Sequence, residues 1–97
     1  MKTIYDLLDE ASKQLNTKSD RALAKHVGMS QQNISAIRTR RTLPSDEYIV
    51  RLAIAANWPS DLALLYLNYW RCLSNNFETA AQIYLQLIRQ REAKTES

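Results

Sequence analysis

Six cations, Lys18, Arg21, Lys25, Arg38, Arg40 and Arg41, fall within residues 18–41, where Asp20 is the only acid. Guanidinium forks match pairs of phosphate oxygens, and lysine ammonium groups serve as point charges beside them. This segment carries +5, whereas residues 1–17 and 42–97 each sum to −1, so the net +3 of the 97-residue chain belongs to one stretch. A basic patch on a near-neutral scaffold is the electrostatic footprint of a phosphate-backbone binder. Other chemistry is scarce. His26 and Cys72 are the single histidine and the single cysteine, too few for a metal cluster, an intrachain disulfide or a nucleophile paired with a base. Cys72, between Arg71 and Leu73 and two residues past Trp70, reads as a small buried hydrophobe. His26 reads as a helix C-terminal residue, and a metal-dependent nuclease would need more carboxylates among the cations than Asp20. The expectation is a protein that is not an enzyme and has no cofactor and no small-molecule substrate.

The elements that must hold these cations are helices. The apolar residues are mainly Leu, Ile and Ala at helical spacing, β-branched alternation is slight, and a single glycine leaves few hairpin turns, so the fold class is all-α. Ninety-seven residues, 45% of them hydrophobic, suffice for one compact domain with a modest core. No apolar run reaches the roughly 20 residues that cross a bilayer, and Asp6 interrupts any leader-like N-terminus. No membrane partner and a cytoplasmic location are expected.

Thr3 and Asp6 resemble a capping box, and Ile4, Leu8, Ala11 and Leu15 then share a face, predicting a first helix over 4–15. Ser19 is placed to cap a second helix over 20–26. Gly28 follows it, the residue best suited to a left-handed conformation just past a helix end, and reads as a sharp inter-helix turn. Ser30 is placed to cap a third helix in which Ile34 and Ile37 point inward while Gln31, Gln32, Asn33, Ser35 and Arg38 are left outside. Thr39 to Leu43 reads as a loop before Pro44. The signals Pro44-Ser45-Asp46 and Pro59-Ser60-Asp61 each set a hydroxyl cap before an acid, predicting helices over 46–57 and 61–73. A sixth helix over 77–91 carries Ala80, Ile83, Tyr84, Leu87 and Ile88, and residues 92–97 look frayed.

Ala24, Gly28, Ile34 and Ile37 combine a small residue under a helix crossing, the turn, and two anchors for the third helix. With Leu23-Ala24, Val27-Gly28-Met29-Ser30, Gln31-Gln32, Ile34-Ser35, the basic loop, Pro44 and Leu52-Ala53, residues 18–64 resemble the Cro and lambda-repressor family of helix-turn-helix proteins. The resemblance implies a five-helix DNA-binding domain, here with core 3–73 and an additional C-terminal helix. It implies a recognition helix in the major groove of double-stranded DNA. Carried over, Gln31 and Gln32 fall at base-reading positions, where an amide that donates and accepts together matches N6 and N7 of adenine. Asn33 and Ser35 join them as base-reading candidates. Arg38, Arg40 and Arg41 are assigned to phosphate on one side, and Lys18, Arg21 and Lys25 on the other, with the helix N-termini at Ser19 and Ser30. One departure is Asp20, where many family members begin the second helix with glutamine.

The aromatic C-terminal third leaves two readings open. Either the sixth helix completes the core of the monomer, or Tyr66, Tyr69, Trp70, Tyr84 and Leu87 form a dimer or partner interface; a single short recognition helix reads few bases, which favours a homodimer. The function expected is a sequence-specific transcriptional regulator of phage or mobile-element repressor type. The alternative is a protein-binding adaptor, such as an antitoxin or a phage-encoded host inhibitor, because fold alone does not fix function.

Overall fold

The computed structural model describes residues 1–96. Six α-helices and no strand occur among them: α1 Ile4–Leu15, α2 Asp20–Val27, α3 Gln31–Arg40, α4 Asp46–Ala56, α5 Ser60–Ser74 and α6 Glu78–Glu96. None is long and apolar enough to cross a membrane.

Local chemistry accounts for most boundaries. Thr3 and Asp6 form the reciprocal capping box of α1, and Ser19, Ser30 and Ser45 each accept the backbone N–H three residues on, answering amides that have no partner inside the helix. Ser60 departs from the expectation. The first bond of α5 runs from the Ala63 N–H to the Pro59 carbonyl at 3.0 Å, so Pro59 is the cap, without a side-chain acceptor, and Ser60 is already helical. Helix α3 also runs further than expected, to Arg40, and α6 continues to Glu96 through residues that looked frayed; Ser97, the last of them, lies outside the described residues. Left-handed residues follow helices at five places: Gly28 at φ 72°, Asn16, Asn57 and Asn76, and Arg41 at φ 56°.

One core joins the helices. Leu7, Leu8 and Ala11 of α1 meet Ile49, Leu52 and Ala53 of α4, with Leu23 and Ala24 of α2, Ile34 and Ile37 of α3 and Leu67 of α5 around them. Helix α3 packs chiefly on α2, and α6 folds back on α5. This arrangement leaves α3 at one edge of the molecule.

Two members of the aromatic stripe, Tyr66 and Trp70, lie inside. Tyr66 is 1% exposed and packs between Trp58 and Trp70, with ring centroids 5.9 and 5.6 Å away. Its hydroxyl donates to Glu92 Oε2 at 3.0 Å, and the Trp70 indole N–H donates to the Lys2 carbonyl at 3.1 Å. The expectation of Tyr66 and Trp70 at a partner interface is therefore corrected: both are spent on the monomer core. Tyr69 and Tyr84 are half-buried, and Cys72 is buried as expected. Helix α6 is turned differently from its apolar pattern. The Tyr66–Glu92 bond and the pairing of Arg91 with Asp61 at 2.6 Å join it to α5; Ala81 and Ile88 are buried, while Ile83 and Leu87 are 56% and 40% exposed.

Candidate nucleic-acid interface

The turn between α2 and α3 is built on Gly28. Its N–H and that of Met29 both return to the Ala24 carbonyl, closing α2, and Met29 is buried before Ser30 caps the next helix through the Asn33 amide at 3.1 Å. Arg51 of α4 locks the outside of the bend. Its Nη1 donates to the Gly28 carbonyl at 3.2 Å, its Nε pairs with Glu47 at 3.3 Å, and its guanidinium lies 5.4 Å from the Tyr48 ring centre. The Glu47–Arg51 spacing of four is that of a helical ion pair; the reach to Gly28 spans 23 positions.

Helix α3 rests on this turn through Ile34 and Ile37, 0% and 2% exposed. Gln31, Gln32, Asn33 and Ser35 are all exposed, but they do not form one group. Gln31, Gln32 and Ser35 share a surface recess with Thr39 and Arg40. Asn33 lines a different hollow with Tyr48 and the α3–α4 loop. The 31/32/35 group thus offers two amides and a hydroxyl, donors and acceptors together, beside one guanidinium.

Exposed cations precede and follow that group along the chain. Arg40 and Arg41 are exposed at the end of α3, and Lys18, Arg21 and Lys25 are exposed on or before α2, the last two one helical turn apart. The loop after Arg41 is anchored by Arg71 of α5, which donates to the Pro44 carbonyl at 3.2 Å and to Asp46 at 2.9 Å. Ser19 and Ser30 spend their hydroxyls as caps at 3.1 Å, so their helix ends can offer an anion only the remaining amides. Arg38 differs from the free cation expected. It stands 2.9 Å from the Asp20 carboxylate and 3.2 Å from that of Asp9, which also places Asp20, the departure at the start of α2, against a protein partner.

No group of three or more His, Cys, Asp or Glu suited to a metal ion occurs among the described residues. The bacteriophage CI repressor helix-turn-helix domain, as a family, matches residues 6–67, more than half of the chain and all of the turn and its flanking helices. No curated protein and no solved structure matches.

Proposed function

The chain belongs to the bacteriophage CI repressor helix-turn-helix family, and we propose that it is a sequence-specific, double-stranded-DNA-binding transcriptional regulator, a repressor that acts as a dimer on a near-palindromic operator. One observation carries the reading: an exposed amide and hydroxyl group, Gln31, Gln32 and Ser35, on an edge helix, with Arg40 in the same recess and further exposed cations at Arg41 and on α2. In this reading α3 enters the major groove, the 31/32/35 group meets base edges, and Arg21, Lys25, Arg40 and Arg41 neutralise phosphates on the two backbones. Asn33 reaches the base nearest the α3–α4 loop. Occupancy of the operator excludes polymerase.

The two-fold partner is a second copy, seated on the outside of the α5–α6 hairpin. Ile83 and Leu87 are 56% and 40% exposed on α6, Leu73 and Phe77 are 52% and 60% exposed at the α5–α6 junction, and residues 79–88 contain no charge in a chain that is 24% charged. Charge depletion around exposed apolar side chains is the composition of an interface centre. Tyr69 and Tyr84, half-buried, are its inner margin. The adaptor reading draws on the same surface, with another protein in place of the second copy.

Selection of bound duplexes from a random pool tests the proposal. The expected result is a two-fold symmetric consensus with half-sites about 10 base pairs apart. Recovery of no enriched sequence overturns it, and a stoichiometric foreign protein on the hairpin without a DNA complex favours the adaptor.

A further inference from the structure

Arg38 is the one cation of the basic segment held between two carboxylates from other helices, Asp9 of α1 and Asp20 in the first turn of α2. The Arg38 side chain is 30% exposed and that of Asp20 33%, against 68% for Asp9, so the contact to Asp20 is the more sheltered. It tethers the edge helix α3 to both of the helices that precede it. A carboxylate presents to a guanidinium the same paired oxygens that a phosphate does, so Asp20 and Asp9 stand where a DNA backbone would otherwise compete.

We propose that Asp20, aided by Asp9, withholds Arg38 from DNA phosphate and uses it instead as a positioning residue that sets the angle of α3. The inference rests on the DNA-binding reading above. A phosphate contact adds affinity for every sequence alike and carries no base information. Withholding one lowers the background binding, while the tether keeps Gln31 and Gln32 aligned for two-point contact with a base, a geometry that a helix free to rock would lose.

The test compares wild type with Asp20→Asn, Asp9→Asn and Arg38→Met, using a duplex selected from a random pool and a random-sequence duplex of equal length, each titrated across a salt series. Thermal unfolding of every variant shows that the protein measured is folded; the two asparagine variants keep side-chain size and carry the test should Arg38→Met not fold. Asp20→Asn is expected to steepen the salt slope by about 0.9 per subunit, one phosphate's worth, and to tighten binding to the random duplex more than to the selected one. Arg38→Met is expected to keep the wild-type slope while discrimination between the duplexes falls. An unchanged slope and unchanged discrimination in Asp20→Asn overturns the inference, as does a flatter slope in Arg38→Met, which would mean that Arg38 already touches phosphate. Wild type that binds neither duplex in a salt-dependent way overturns the DNA-binding reading and this inference with it; wild type that binds normally beside an unaltered Asp20→Asn overturns this inference alone.

Discussion

Arg51 Nη1 stands 2.8 Å from the point a Cβ on Gly28 would occupy, while donating to the Gly28 carbonyl at 3.2 Å. Two constraints therefore meet at this residue. The backbone is left-handed, φ 72°, which costs a side-chain-bearing residue roughly 1–2 kcal/mol, and the space beside it is taken by a guanidinium whose hydrogen bond depends on that closeness.

Gly28→Ala is accordingly expected to lower stability by about 1–2 kcal/mol, since the Arg51 tip must also shift and weaken its bond to the carbonyl. Gly28→Asn, a residue more tolerant of the left-handed region, is expected to cost less than alanine. Urea denaturation of the three proteins checks this ordering. Equal midpoints for alanine and glycine would contradict it.

Base reading and phosphate binding separate by substitution. Gln31→Ala is expected to erode discrimination at one base position by about 1–3 kcal/mol and to leave the salt slope alone. Arg40→Ala, exposed in the same recess, should weaken all duplexes alike and flatten the slope by about 0.9 per subunit. Binding to a panel of single-base operator variants at several salt concentrations measures both. An operator-selective loss in Arg40→Ala would move that residue into the reading set.

Arg41 shows the cost of keeping a cation at a corner. It is the one left-handed residue among the described residues that is neither glycine nor asparagine, and strain of this kind collects where a side chain is needed for its chemistry. Arg41→Gly should raise stability by about 1 kcal/mol, the penalty relieved, and at the same time weaken DNA binding and flatten its salt dependence. Thermal melts and salt titrations of the one variant give both signs. A variant that is more stable and binds as well as wild type would show that this guanidinium meets no phosphate.

What the sequence made legible was local. The α1 limits, the serine caps of α2 to α4 and the bend at Gly28 depend on residues within a few positions of one another, and each was readable from spacing and cap chemistry. The misreadings have a common cause in distance along the chain. Arg38 meets Asp20 and Asp9 across 18 and 29 positions, Tyr66 meets Glu92 across 26, and no periodicity announces such pairs. Two stripes, one ending at Ile88 and one through Ile83 and Leu87, overlap on α6, so a hydrophobic pattern alone could not say which faces the core; Arg91 and Glu92, three and four residues past Ile88, meet α5 on the buried side. Exposure of the four candidate reading residues followed from the inward positions of Ile34 and Ile37. The division of Asn33 from Gln31, Gln32 and Ser35 needed the α3–α4 loop in place.

If the outer stripe of α6 joins two copies, a charge placed within it must be buried without a partner. Leu87→Glu is expected to convert the dimer to a monomer in sedimentation equilibrium, because the exposed side chain can be exchanged without disturbing the core while a carboxylate at the interface centre is strongly disfavoured. Ile83→Glu should act in the same way. Wild type that sediments as a monomer at all concentrations, or a Leu87→Glu protein that remains dimeric, removes this surface from the proposal.

Alkaline pH should act on the folded state through Tyr66. Burial, then the hydrogen bond to Glu92 and the charge of that carboxylate, push its phenol well above the ordinary value of about 10. The folded protein thus holds Tyr66 neutral while the unfolded chain ionises it, so the unfolded state binds fewer protons above pH 10 and stability must fall there as pH rises. Below pH 10 both states keep the proton and this contribution is intact. In Tyr66→Phe there is no proton to lose and the bond to Glu92 is gone, so the variant should be less stable near neutrality yet lose less stability between pH 9 and pH 11 (roughly one unit either side of the free phenol's value). Melting temperatures of both proteins over that interval measure the difference, with phenolate absorbance reporting ionisation on the same samples. Equal steepness in the two proteins would mean that the buried hydroxyl does not govern alkaline unfolding.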